Sequence, residues 1–196
     1  MTPAAIRRKW NRRYTELHPS ARQQPNPFVT ACLPQLPASG RALDIAAGAG
    51  RHSLALAAHG LQVDALDISW QGLRLAQQRA TMAGLAERVR CVVADVERGW
   101  LPRHSYDVIV TTYFLCRPLF NTIASRLRPG GFLLYETFTL KQLEKPYHRG
   151  SSRAGFYLRP GELRAAFAGF NVLYYDEGDH QDKATAQLLA QKPVTC

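Results

Sequence analysis

No apolar run in this 196-residue chain approaches the roughly 20 residues of a bilayer-spanning helix, so no such helix is expected. The opening MTPAAIRRKW also lacks the apolar stretch of a secretory signal. Its arginines have the look of a transit peptide, yet Trp10 and Tyr14, four apart, share a helix face and read as structural. Cysteine is sparse: Cys32, Cys91, Cys116 and Cys196 show neither C-x-x-C nor Cys/His metal spacing, so no metal site is expected. Reduced thiols and a cytoplasmic location follow. Repeats and low-complexity linkers are lacking too, and the length fits one domain, with an N-terminal helical arm over residues 1–37 and a core over 38–196. Acidic residues are few, 15 against 25 basic ones, leaving a net charge of +10. Six of the basic residues (Arg7, Arg8, Lys9, Arg12, Arg13, Arg22) fall in the first 24 positions, against Glu16 alone. That bias fits contact with nucleic acid or an acidic partner, and it equally fits a solvated arginine-rich helix.

What the chain does have is an organising stretch from Ala42 to Ser53, ALDIAAGAGRHS. An apolar run carries Asp44, turns through Gly48-Ala49-Gly50 and enters a helical pattern at Arg51. Glycines at a strand-to-helix turn let the backbone approach a ligand closely, and the helix start offers free N–H groups. Two further apolar strands end on acids, LQVDALDIS at Asp67 and VRCVVADVE at Asp95. Ser69 is placed to cap a helix running to about Ala83. Strand four, Tyr106 to Thr111, contains the continuous apolar run of a strand buried on both faces. The turn Arg128-Pro129-Gly130-Gly131 leads into strand five, FLLYETF. Asn171 to Tyr175 and Ala184 to Gln191 close the chain, joined by the polar link DEGDHQDK.

Alternating strands and helices predict an α/β fold, a doubly wound sheet of seven strands whose last pair is antiparallel. Right-handed crossovers bring the strand ends to one edge, so Asp44, Asp67 and Asp95 converge on one cleft. Asp64, inside strand two, reads as structural. An NAD-dependent dehydrogenase also places an acid about 20 residues after its glycine turn. Against that stand Ser53, in the third glycine's place, and Asp95.

Three strands in succession, each closed by an acid, resemble the class I S-adenosylmethionine-dependent methyltransferases, and the resemblance runs from about Trp10 to Lys192. Ala46 stands where that family has the first glycine of its motif. The resemblance implies a mostly parallel, Rossmann-like seven-stranded sheet with the last strand reversed, and S-adenosyl-L-methionine as cofactor. It implies Asp67 on the ribose diol, Ile68 against the adenine, and Asp95 accepting from the adenine amine beside the Val96 N–H. Asp44, Ala46, Gly48 and Gly50 would pass the amino-acid end, Arg51 would pair with its carboxylate, and Thr111 would also border the cofactor. Trp10-x-x-x-Tyr14, Gly50-Arg51-His52-Ser53 and Tyr135-Glu136-Thr137-Phe138 are similar to small bacterial methyltransferases of the tellurite-resistance and thiopurine type. There the N-terminal segment closes over the cofactor, which makes Trp10 and Tyr14 candidate lid residues.

The acceptor is less legible. Strand four ends TTYFLCRP, with neither the Asn/Asp-Pro-Pro-aromatic pattern of amino-directed methyltransferases nor the Pro-Cys pair of cytosine carbon methylation. The resemblance places the transferred methyl just past strand four, beside Tyr113 and Arg117. His148, Arg149 and Arg153 lie in the long irregular stretch that follows strand five. These cations suit a small anionic or soft acceptor: a thiol, a metalloid or a carboxylate. A hydroxyl or amine acceptor needs a base, for which Tyr113 and His148 are the candidates. An RNA methyltransferase using the basic arm, and a non-catalytic cofactor-binding partner protein, are the alternatives.

Overall fold

The apolar runs become the strands of one sheet in a computed structural model that describes residues 2–18, 24–145, 154–180 and 182–194. These strands are β1 (Arg41–Ile45), β2 (Gln62–Asp67), β3 (Val89–Val93), β4 (Tyr106–Thr112), β5 (Leu127–Phe138), β6 (Asn171–His180) and β7 (Lys183–Gln191). Their order across the sheet is β3-β2-β1-β4-β5-β7-β6. The first five pair in parallel, while β7 runs antiparallel to both β5 and β6. The order reverses between β1 and β4, which is where a doubly wound sheet opens a crevice beyond its strand ends.

Among the described residues six α-helices accompany the sheet: α1 (Pro3–Thr15), α2 (Pro27–Cys32), α3 (Arg51–His59), α4 (Trp70–Met82), α5 (Phe120–Arg126) and α6 (Glu162–Ala166). Period-two alternation sorts the strand residues between two cores. Val63, Ala65, Val108, Val110 and Leu134 pack with Phe28 and Val29 of α2, Leu56 of α3 and Leu73 of α4. On the opposite face Leu43, Ile45, Leu66, Ile109 and Leu133 pack with Ile123 of α5 and Leu163 of α6. Side-chain caps fix three helix starts: Thr2 accepts from the Ala5 N–H, Asn26 from Val29 and Ser69 from Gly72. Such a cap contributes about 1 kcal/mol.

Two elements differ from the sequence reading. The Arg128–Gly131 turn lies inside β5, because the Gly130 N–H donates to the Lys192 carbonyl and the Lys192 N–H to Gly131. The polar stretch read as a link is mostly strand: β6 continues through Asp176 to His180. As the edge strand it has water on its free side, where polar residues and a glycine cost little.

Asp64 is held where a structural acid belongs. It is buried, and accepts from Arg90 Nε at 2.8 Å, Arg41 Nη2 at 3.3 Å and the Tyr106 hydroxyl at 2.7 Å. Burial pulls its pKa up, but the hydrogen bonds from Arg90 and Tyr106 and the nearby guanidinium charges outweigh it and hold the pKa below the usual range. That stability is present above the unfolded carboxylate value of about 4 and is lost as pH falls through the lower folded value. Tyr106→Phe is therefore expected to cost about 1–3 kcal/mol at neutral pH, since a buried carboxylate loses a donor. Urea denaturation should show the deficit at pH 7 and a smaller one in acid.

Candidate active site

The turn after β1 is built from backbone that side chains resist. Ala46, Gly48 and Gly50 have φ of 59°, 56° and 77°, and α3 begins at the next residue. Ala46 takes the left-handed conformation at a cost of about 1–2 kcal/mol. Asp44 is buried at the end of β1 and accepts from Ser53 Oγ at 2.6 Å, so the serine in the third glycine's place ties α3 to β1. Burial raises the Asp44 pKa to about 7, against the lowering effect of Ser53 and the Arg51 charge.

Asp67, at the end of β2, accepts from the Gly48 N–H at 2.8 Å and the Ser69 N–H at 2.7 Å, one bond to each oxygen. Burial pushes its pKa up as well. A carboxylate oxygen has two acceptor sites, so both oxygens keep capacity for a ligand. Arg79 of α4, itself buried, braces the turn from the far side by donating to the carbonyls of Ala49 and His18.

The N-terminal helix α1 lies over this turn. Asn11 Oδ1 accepts from Ser69 Oγ at 2.8 Å, and Trp10 stacks on Tyr14 with ring centres 6.1 Å apart. The Tyr14 hydroxyl occupies the space that a Cβ on Gly48 would fill, so a ligand laid along the turn meets it first. Its pKa is raised by burial and by the Asp67 charge. Beyond the ends of β2 and β3, Ile68 and Asp95 are half-buried and Val96 is buried. Thr111, one residue before the end of β4, is fully buried, and its hydroxyl has no partner among the described residues. Two carboxylates with spare acceptor capacity, an orphaned hydroxyl and a turn open to close approach fit a ligand with an ammonium group, a diol and a ring amine.

Tyr113 follows β4 with φ 55°, its N–H bonded to the Glu136 carbonyl at 2.7 Å. Its ring stacks on Phe138, with the Arg51 guanidinium 5.4 Å and Lys183 Nζ 4.9 Å from the ring centre. Beside it opens a cleft of about 510 Å³, walled by Phe28, Cys32, Leu173 and Tyr174, with Asn26 and Glu136 among its polar groups. Burial raises the Cys32 thiol to about 11, which keeps it protonated. His52 joins the cleft to α3: its Nε2 accepts from the Asn26 N–H and its Nδ1 meets Thr112 Oγ1, each at 3.3 Å. Burial lowers its pKa to about 3, so it stays neutral.

Asn26, Glu136, His180 and Lys183 do not stand out as site residues in the sequence, because they come from three separate segments: the start of α2, β5 and the β6–β7 hairpin. Arg117 does not line the cleft. Its guanidinium pairs with Glu162 and donates to the Gly155 and Tyr157 carbonyls, which commits it to holding the segment before α6. His148, Arg149 and Arg153 lie outside the described residues. Among the described residues no group of three or more His, Cys, Asp or Glu could hold a metal ion, and no helix is long and apolar enough to cross a membrane.

The raised Asp44 pKa carries a pH prediction. A cationic ammonium near Asp44 favours its charged form, so binding must expel the proton that Asp44 holds below pH 7. Affinity for a ligand with such a group is expected to fall by up to about tenfold per pH unit as pH drops from 7 to 5.5. Calorimetry across that range checks it, with Asp44→Asn expected to flatten the slope.

Residues 42–131 match the family described as methyltransferase domain. No curated protein matches by sequence. Among solved structures, TehB from Haemophilus influenzae aligns with a TM-score of 0.69 at 21% identity, over 84% of this chain and 61% of its own. This chain therefore spans under two thirds of TehB. A magnesium protoporphyrin IX methyltransferase from Synechocystis PCC 6803, solved with bound SAM, aligns with a TM-score of 0.71 at 17% identity over 97% of this chain and 96% of its own. A SAM-dependent methyltransferase from Methanosarcina mazei aligns at 0.67 and 22%, over 88% of this chain and 100% of its own. At these identities the structures speak for the fold, and the domain match speaks for the glycine turn and the strands around it. Together with the sheet order, they give this chain a Rossmann-like methyltransferase fold, with residues 42–131 matching a methyltransferase domain.

Proposed function

We propose that this protein transfers a methyl group from S-adenosyl-L-methionine to a small acceptor seated in the cleft beside Tyr113. The observation that carries the reading is Tyr113 itself, which lines the cleft while Arg51, from the start of the helix after the glycine turn, lies against its ring. A ligand along the turn and a molecule in the cleft thus meet at one side chain. Asp67 would accept from the ribose diol and Asp95 from the adenine amine, with Ile68 and Val96 on the ring. Asp44 would face the ammonium, Arg51 the carboxylate, and Ala46, Gly48, Gly50 and Thr111 the path between, with Tyr14 as cover. When bound, the cofactor supplies a methyl already activated by its sulfonium. The chain's own task is to hold the acceptor in line and to exclude water.

Arg51 and Lys183, both against Tyr113, suit an acceptor that is soft or that becomes anionic as it reacts. A second reading, methylation of RNA, draws on the exposed Arg7, Arg8, Lys9, Arg12 and Arg13 of α1. Calorimetry should show S-adenosylmethionine and its demethylated product binding at least about 100-fold more tightly than NAD, a gap of roughly 2.7 kcal/mol. Labelled methyl should then appear in small thiols, metalloid oxyanions or acids. NAD binding without a response to either methyl-donor species sinks the cofactor assignment. Label entering RNA alone, and lost with the α1 arginines, sinks the small acceptor.

A further inference from the structure

Among the described residues, Glu136 is a buried acid with no cation to hold it. It is 2% exposed, on β5 one residue after the fully buried Tyr135, and its side chain reaches the cleft. Thr185 donates to Oε1 at 3.1 Å and the Asn26 amide donates to Oε2. Both donors are neutral, and the salt bridges among the described residues do not include Glu136. A buried carboxylate without a counter-charge costs several kcal/mol, so a fold that needed only packing would place an apolar residue there. Each oxygen keeps a further acceptor site, and the cleft walls beside it are Phe28, Leu173 and Tyr174.

A hydrogen-bonded chain leads outward from this carboxylate. Thr185 Oγ1 lies 2.8 Å from His180 Nδ1, and His180 Nε2 lies 2.8 Å from Asp176, which is 54% exposed. A hydroxyl both gives and takes a proton, so Thr185 can pass one between Glu136 and His180. On the other side the Asn26 amide also donates to the Tyr113 hydroxyl at 3.3 Å, and so does Lys183 at the same distance. The carboxylate and the aromatic ring that borders the cofactor side therefore share one partner.

We propose that Glu136 is the proton acceptor of the transfer, and that the acceptor molecule is a small, largely apolar body carrying a thiol or hydroxyl. The proposal rests on the methyltransferase reading above and narrows its acceptor. In the step, a lone pair of the acceptor sulfur or oxygen forms the bond to the methyl carbon. The carbon–sulfur bond of the donor breaks, and its electron pair stays on the sulfur, cancelling the sulfonium charge. The proton released by the acceptor goes to the Glu136 carboxylate, leaving a neutral acid, the methylated acceptor and S-adenosylhomocysteine. Thr185, His180 and Asp176 return that proton to water, so His180 and Asp176 are positioning residues. An apolar body of this kind suits a cleft of this size and lining.

The test compares two thiols with the full-length protein: thiophenol, largely ionised in mild alkali, and benzyl mercaptan, which is not. Glu136→Gln keeps the volume and can still bond to Asn26 and Thr185. It should lose about 100-fold or more in kcat on benzyl mercaptan while staying within about threefold on thiophenol, the pattern of a lost general base. Affinity for S-adenosylhomocysteine should be unchanged, which shows that the variant is folded. Thr185→Val should make the benzyl mercaptan rate depend on buffer concentration, a response that a packing defect does not produce. Equal losses on both thiols, or none on either, overturn the proposal. So does a wild-type enzyme that methylates tellurite or RNA but neither thiol. The parent reading fails separately, through absence of cofactor binding or of any methyl transfer by the wild type.

Discussion

Asp67→Ala should weaken binding of S-adenosylhomocysteine by about 30- to 1000-fold, equivalent to roughly 2–4 kcal/mol. Two losses add in that figure. One, on the function proposed above, is the charge-assisted pair of hydrogen bonds to the ribose diol. The other is the bracing of the turn, since the two carboxylate oxygens hold the N–H groups of Gly48 and Ser69. Asp67→Asn is not a mild substitution here, because its amide nitrogen would face one of those two donors. The two contributions separate with 5′-methylthioadenosine, which keeps the ribose and lacks the amino-acid end. A loss through the diol falls equally on both ligands, while a loss through the turn falls mainly on the longer one. Affinity within threefold of the parent for S-adenosylhomocysteine would remove Asp67 from the ribose.

The turn after β1 and the acids around it are legible in the sequence because their signals are local. Asp44, Gly48, Gly50 and Asp67 sit at strand ends, and hydrophobic patterning marks strand ends within a few residues. Ser53 was legible only as a departure, since its bond to Asp44 spans a helix turn and a strand end. The cleft beside Tyr113 is not legible, for the opposite reason. Asn26 precedes α2, Glu136 lies on β5, and His180 and Lys183 flank the β6–β7 turn, so only the sheet order brings them together. The polar run Asp176–His180 read as a link because its periodicity is hidden by the tolerance of an edge strand for polar residues. Arg117 was placed near the methyl by its position after strand four. What the sequence does not show is Glu162, 45 residues on, which takes its guanidinium.

The glycine turn offers the sharpest separation of folding from binding. A Cβ at Gly50 would lie 2.6 Å from Ala76 Cβ and 3.2 Å from Ala76 Cα, on the backbone of α4, which cannot yield without moving the helix. With φ at 77°, Gly50→Ala combines left-handed strain of about 1–2 kcal/mol with overpacking of about 1–3 kcal/mol. The expected loss of about 2–5 kcal/mol corresponds to a fall in Tm of roughly 5–20 °C for a chain of this size. At Gly48 the atom in the way is the Tyr14 hydroxyl, the far end of a side chain that can turn aside. Gly48→Ala should therefore pay mainly the backbone strain and fold with a Tm within about 5 °C of the parent. Its new methyl would stand in the path of the cofactor, so affinity for S-adenosylhomocysteine should drop by about tenfold or more, roughly 1.4 kcal/mol. In a Tyr14→Ala background the stability cost of Gly48→Ala should shrink to the strain alone, while the affinity loss should persist. A Gly48→Ala protein less stable than Gly50→Ala would mean that α1, not α4, is the rigid wall of the turn, and the placement of Tyr14 as a movable cover would be wrong.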